Sequence, residues 1–232
     1  MSDHGVLIIG VGGLGSVVAM ALGVAGIRRL TLVDADTVAL SNLHRQPLYQ
    51  EADVGASKVA AAAGWLRREH PGMAVETRTE RVTTLGQLVP LMLDHAITVD
   101  GSDNFTTRFL ANDAALHTGR PLVHGAATGL RGQLMTILPH RSACLRCLFD
   151  APPEVTAPTC QEEGVWGALV REVGWLMAME VVKWMYAADG LMTDRMVTID
   201  LGTGIRRHVA VLRQQDCRGC GVDLDHECSK RV

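Results

Sequence analysis

Apolar positions in this chain alternate between short unbroken runs and longer stretches with helical spacing. Val6-Leu7-Ile8-Ile9 is wholly apolar and stops at Gly10, the pattern of a strand covered on both faces. Small and apolar residues over 13–26 predict a helix packed closely on a sheet, and 29–33 reads as a second strand closed by Asp34. The rhythm continues with helices near 56–69, 85–93 and 104–118 and strands near 73–78, 96–100 and 121–125. Such alternation predicts an α/β fold, a Rossmann-like, doubly wound and mostly parallel sheet with helices on both faces.

After residue 126 the rhythm changes. A strand near 133–138 precedes a stretch, 140–158, rich in Pro, Cys and turn residues. The longest helical segment, 166–187, carries few charges (Arg171, Glu172, Glu180, Lys183). A helix apolar over most of its circumference belongs deep in a core or in a subunit interface. Trp166, Trp175 and Trp184 read as core or dimer-interface packing. Strands near 196–200 and 206–212 precede a polar tail. With no repeat, low-complexity tract or long linker, the simplest organisation is one domain over 1–232. Its nucleotide-binding α/β part is 1–126, and 127–232 is a C-terminal β extension with the long helix.

Composition mainly excludes. Of 232 residues 47% are hydrophobic and 20% charged, ordinary for a folded chain with a sizeable core. The 22 basic and 25 acidic side chains leave a net charge of −3, so no global field points to nucleic acid. No apolar run reaches the roughly 18 residues of a membrane span. Met1-Ser2-Asp3-His4-Gly5 has no basic and no apolar leader region, and a cytoplasmic protein is expected.

Gly10, Gly12 and Gly15, with Gly13 between them, fit G-x-G-x-x-G directly after a strand and opening a helix. Side chains there would hold the backbone away from a phosphate, and free N–H groups at the helix start attract anions. Asp34 ends the second strand, where a carboxylate can accept from both ribose hydroxyls. The motif alone does not separate NAD, FAD, S-adenosylmethionine and ATP. Ser41-Asn42-Leu43-His44-Arg45, Lys58 and Asp103-Asn104 narrow the choice, because loops at the carboxyl ends of strands gather at one crevice. Arg45 and Lys58 there could neutralise a triphosphate, and Asp103 could hold Mg²⁺ against it. Hydride transfer has no use for that arrangement. Taken singly, Lys58 reads as a solvated charge and Asn42 as a loop residue.

Cys144/Cys147 and Cys217/Cys220 form two C-x-x-C pairs, a strong signal for a tetrahedral Cys₄ zinc site. Two disulfides or unrelated buried thiols are the alternatives, and a cytosolic setting favours metal. Four thiolates leave no open position for water, so the zinc is structural. Cys228 with His226 in the tail reads as no metal site of its own.

Seven stretches, taken in order, resemble the HesA/MoeB/ThiF family of ubiquitin-activating-like adenylyltransferases. They are Gly-Val-Gly-Gly-Leu-Gly (10–15), Leu-Val-Asp-Ala-Asp (32–36), Ser-Asn-Leu-His-Arg-Gln (41–46), Val-Gly-Ala-Ser-Lys (54–58), Ser-Asp-Asn (102–104), Cys-Leu-Arg-Cys (144–147) and Cys-Arg-Gly-Cys-Gly (217–221). The resemblance implies ATP-dependent adenylation of the C-terminal Gly-Gly carboxylate of a ubiquitin-like sulfur-carrier protein, with pyrophosphate released. The pathway would be molybdopterin, thiazole or related thio-cofactor synthesis. By that analogy Gly10, Gly12, Gly13 and Gly15 bring the helix start to phosphate. Asp34 and Asp36 lie at the ribose, Ser41 and Asn42 line the site, Arg45 and Lys58 stabilise the phosphates, and Asp103 places Mg²⁺ with Asn104 beside it. No general base is needed, since the carboxylate is ionised at neutral pH.

The resemblance also implies a homodimer. It further makes Cys160 the candidate for a thioester or acyl-disulfide with the carrier, against the plainer reading of a bystander loop thiol. Family members carry an arginine ahead of the first strand that reaches the partner's ATP site. Only Met1–Gly5 precede Val6 here, so another residue substitutes, or catalysis is slower by about 10²–10³, or the native start lies elsewhere. The alternatives are a non-catalytic or small-carboxylate-activating relative, and a dinucleotide oxidoreductase.

Overall fold

A computed structural model describes residues 5–152 and 164–221. The chain order is β1 (Gly5–Ile9), α1 (Gly13–Val24), β2 (Arg29–Val33), α2 (Lys58–Glu69), β3 (Ala74–Arg78), α3 (Leu85–Leu93) and β4 (His95–Asp100). It continues with α4 (Phe105–Thr118), β5 (Leu122–Thr128), β6 (Arg131–Ile137), α5 (Gly167–Met185), β7 (Arg195–Asp200) and β8 (Ile205–Ala210). The eight strands form one sheet in the order β3-β2-β1-β4-β5-β6-β7-β8. Neighbours from β3 to β5 pair in parallel, and those from β5 to β8 antiparallel. The sheet is therefore mostly parallel, with an antiparallel extension begun by a two-residue turn between Thr128 and Arg131.

Both faces of β1 are covered, which is why its sequence shows no polar alternation. Val6 and Ile8 enter a core with α1, α2 and α5, while Leu7 and Ile9 enter a second core with α3, α4 and the cysteines. The strand order reverses between β1 and β4, opening a crevice beyond their carboxyl ends. Gly15 belongs to that junction: a Cβ there would run into the Gly10 carbonyl, with its carbon at 2.9 Å and Ile8 Cγ2 at 3.2 Å. Helix α4 is capped by Asn104, whose Oδ1 accepts from the Thr107 N–H at 2.8 Å, and ended by Gly119 in the left-handed region.

The long helix is neither wholly buried nor wholly exposed. One face, with Leu169, Val173, Gly174, Met177 and Val181, packs on α1, β5 and β6, and close approach needs glycines beneath it. A Cβ on Gly132 would sit 2.5 Å from Val173, and one on Gly174 2.7 Å from Val17. Its single buried charge is Glu180, which accepts from Thr136 Oγ1 (2.6 Å), the Met192 N–H (2.6 Å) and Lys183 Nζ (2.8 Å). Trp184 packs against the core, but Trp166 and Trp175 are 65% and 48% exposed and contribute no core packing. None of the described helices is long and apolar enough to cross a membrane.

Candidate active site and metal centre

The crevice between β1 and β4 holds a cavity of about 530 Å³. Its floor is the turn after β1. Gly10 adopts φ +82 and donates its N–H to the Val33 carbonyl at 2.8 Å. The Val11 N–H donates to Asp34 Oδ2 at 2.7 Å, and the Val11 carbonyl accepts from Tyr49 Oη at 2.6 Å. Asp34 Oδ1 accepts from the Asp36 N–H at 2.8 Å. Asp34 therefore fixes the glycine turn as well as facing the cavity. Gly12 and Gly13 open α1 toward it, with no acidic side chain in the first turn to oppose an anion.

The cations are held in place. Lys58, at the first position of α2, is only 7% exposed along its side chain and donates to Asp36 Oδ2 at 2.9 Å. Arg81 donates to Asp36 Oδ1 at 3.0 Å. Arg45 donates from Nη2 to Asn42 Oδ1 at 2.7 Å and from Nη1 to the Ser41 carbonyl at 3.3 Å. Asp103 is exposed at the cavity edge and makes no hydrogen bond or ion pair to the described residues.

Gly10, Gly12, Gly13, Asp34, Asp36, Asn42, Arg45, Lys58, Asp103 and Asn104 line this one cavity. Gly15 and Ser41 do not: Gly15 is buried in the strand–helix junction, and exposed Ser41 reaches the site only through its carbonyl. Asn104 spends its side-chain oxygen on the helix cap. Cys160, His226 and Cys228 lie outside the described residues.

Sequence reasoning missed several lining residues. Arg81 follows β3, and nothing in its local sequence marks it. Gln46 follows Arg45, yet its Oε1 is buried in the wall with no partner, an acceptor suited to a donor on a bound molecule. Arg108 lies one turn beyond Asn104, and i+4 spacing could have placed it on the same face. It is 8% exposed and donates from Nε (3.4 Å) and Nη2 (3.3 Å) to the Ser102 carbonyl. With Arg45, Lys58 and Arg81 it opposes Asp34, Asp36, Glu80 and Asp103 around the cavity. Arg108 and Ala127 also line a second, more apolar cavity of about 610 Å³ that includes Phe105, Phe109, His124 and Phe149.

The cysteine pairs converge 73 positions apart. Cys144 Sγ lies 3.7 Å from Cys217 Sγ and Cys147 Sγ 3.4 Å from Cys220 Sγ, and all four sulfurs lie within 4.8 Å of one another. A tetrahedral Zn–S bond of about 2.3 Å sets S···S edges near 3.8 Å, so the cage fits such an ion without a disulfide. Burial and the neighbouring thiols push Cys144 up, and burial pushes Cys220 up to about 11. Burial also raises Cys217, but backbone N–H groups of Cys220 and Gly219 outweigh it and lower that thiol. A cation would compensate the thiolates that burial opposes. The site is clamped to α4, where the Leu145 N–H donates to Asn112 Oδ1 (2.9 Å) and Arg146 grips Asp113 through Nε and Nη2 (both 2.7 Å).

A doubly wound sheet, a glycine turn facing fixed cations at the topological switch and a four-cysteine cage define a Rossmann-like α/β protein with a nucleotide-type crevice and an extension whose cysteines could hold a metal. A profile of the ThiF family matches residues 1–221. A sulfur carrier protein adenylyltransferase from Thermus thermophilus is 38% identical over 240 residues, covering 97% of this chain and 88% of that protein. The adenylyltransferase and sulfurtransferase MOCS3 of Dictyostelium discoideum is 38% identical over 224 residues, 95% of this chain but 52% of its own length. The chain thus spans about half the length of the MOCS3 relatives it matches. It belongs to the ThiF family.

Solved structures agree on the fold. The Microcin C7 biosynthetic enzyme MccB in complex with N-formylated MccA superposes with a TM-score of 0.85 at 20% identity, covering 94% of this chain and 68% of that one. PaaA gives 0.76 at 23%, covering 91% and 65%.

Proposed function

We propose that the chain adenylates the C-terminal Gly-Gly carboxylate of a ubiquitin-like sulfur-carrier protein, using ATP with Mg²⁺ and releasing pyrophosphate. The observation that carries the reading is the gathering of the glycine turn, Arg45, Lys58 and an unengaged Asp103 around one cavity. The names of the Thermus and MOCS3 relatives point to the same chemistry.

The chemical problem is repulsion between a carboxylate and a polyanion. The α1 start receives the phosphates and Asp34 the ribose. Lys58 and Arg45 stabilise charge as it moves to the leaving pyrophosphate, each pre-aimed by its partner so that little reorganisation is needed. Arg81 and Arg108 add positive charge to the wall. Asp103 is the residue available to Mg²⁺, which would screen the phosphates. The second cavity shares Arg108 and Ala127 with the first. No proton need be removed, so positioning and electrostatics supply the rate.

The cysteine cage is assigned a structural Zn²⁺, and the chain one adenylation domain acting in the cytoplasm. The open apolar face of α5, with Trp175 and Met179, together with Trp166 before it, supports a homodimer. Cys160 keeps the proposed role of covalent partner to the carrier. Intact-mass analysis of a Gly-Gly-ending carrier after incubation with the protein and ATP·Mg²⁺ tests the reading. An AMP adduct lost on deleting the last two glycines is expected; no adduct with any such carrier from the same genome would refute it.

A further inference from the structure

Asp100 and His124 are a buried ionisable pair that adenylation does not use. Asp100 ends β4 and is fully buried; His124, opposite it in register on β5, is 1% exposed. His124 Nδ1 lies 2.8 Å from Asp100 Oδ2, while Asp100 Oδ1 accepts from Ser102 Oγ (2.6 Å) and the Ser102 N–H (3.1 Å). Burial pushes the Asp100 carboxyl up, but the hydrogen bond and charge of His124, the charge of Arg108 and Ser102 outweigh it and hold the group below the usual carboxylate range. An ionised Asp100 can only accept, so Nδ1 carries the proton and donates it. In the neutral ring Nε2 is then the acceptor nitrogen.

Nε2 makes no hydrogen bond to any described residue, and the ring lines the second cavity. A nine-tenths-buried ring thus lines a space that shares Arg108 and Ala127 with the nucleotide cleft. Among the described residues, the charged groups facing that space are Arg108 of α4, Arg131 of β6 and Asp150 after the first cysteine pair. The aromatic rings of Phe105, Phe109 and Phe149 keep the rest apolar.

An ionised carboxylate attacking phosphate needs no base, but the next step does when its nucleophile is neutral. We propose that His124, oriented by Asp100, is the proton acceptor for a thiol that captures the acyl-adenylate through the second cavity. As sulfur bonds to the carbonyl carbon, the S–H proton passes to Nε2. The C–O bond to AMP breaks, and AMP leaves with the electron pair. The imidazolium, paired with Asp100, then returns its proton to water, leaving a thioester. Asp100 is the positioning residue. The inference rests on the adenylation reading and extends it to a second half-reaction.

The full-length protein is assayed with ATP·Mg²⁺ and a Gly-Gly-ending carrier, with N-acetylcysteamine as the thiol. ATP–pyrophosphate exchange reads the first half and thioester formation the second. H124Q should keep exchange and its melting temperature, while capture at neutral pH falls about 10²–10⁴-fold, the usual worth of a positioned base. The deficit should shrink as pH rises toward the thiol's own pKa, where thiolate needs no help. D100N should show a smaller loss with the same pH trend. Should H124Q melt early, wild-type capture with thiols of differing pKa decides: at neutral pH its rate should fall little with the thiolate fraction, whereas unaided thiolate attack would fall in proportion to it. Normal capture by H124Q, or equal losses of exchange and capture, would overturn the role of His124. Absence of exchange in the wild type would instead overturn the adenylation reading beneath it.

Discussion

Lys58→Met separates chemistry from stability at one position. Lys58 is 7% exposed along its side chain, so methionine can occupy the buried stem without leaving a void. Its partner Asp36 is 50% exposed and keeps Arg81 on the other oxygen at 3.0 Å, so no buried carboxylate is orphaned. A half-exposed ion pair of this kind is worth about 0.2–1 kcal/mol. At roughly 2–4 °C per kcal/mol for a domain of this size, the melting temperature should fall by no more than about 4 °C. Loss of a fixed charge from the phosphate site should cost about 2.7–4 kcal/mol of transition-state stabilisation, or 10²–10³ in carrier-dependent exchange. Differential scanning fluorimetry and initial-rate exchange on the same preparation give both numbers. K58M with near-normal exchange would refute the assignment of Lys58 to the phosphates. A large drop in melting temperature would instead make Lys58 a structural residue.

Glu180→Ala should do the reverse. It strips three donors of a fully buried acceptor, costing about 3–5 kcal/mol, with E180Q milder and ATP binding retained in both; an unchanged E180A melt would contradict the hydrogen bonds described. Gly15→Ala places a methyl against backbone 2.9 Å away and should destabilise by about 1–3 kcal/mol, whereas exposed Gly64→Ala in α2 meets nothing within 4 Å and should stabilise by about 0.5–1 kcal/mol in urea titrations. Cys147→Ser should take metal content, measured by inductively coupled plasma mass spectrometry, from about one zinc per chain to near none. It should also destabilise the protein by several kcal/mol; a metal-free wild type of equal stability would remove the structural zinc.

Local pattern carried most of the nucleotide-binding half. Apolar runs fixed β1, β2 and β4 because both faces of each are buried, and the turn residues between them placed Gly10–Gly13 and Asp103 at strand ends. The two cysteine pairs were legible because ligand spacing is local even when the pairs are distant. Features set by strand order were not. Asp100 and His124 meet only because β4 and β5 pair in register, and no spacing of 24 residues signals that. Arg81 reaches Asp36 across 45 positions. Composition did not orient α5, since an apolar circumference does not say which residues face β5 and β6. Glu180 faces inward, and Trp175 faces out.

Pyrophosphate exchange tests adenylation most directly. With purified protein, ATP·Mg²⁺ and labelled pyrophosphate, label should enter ATP only when a Gly-Gly-ending carrier is present, and K58M should reduce the rate by the factor given above. Exchange that proceeds without any carrier, or none with every such carrier encoded beside or apart from this chain, would contradict it.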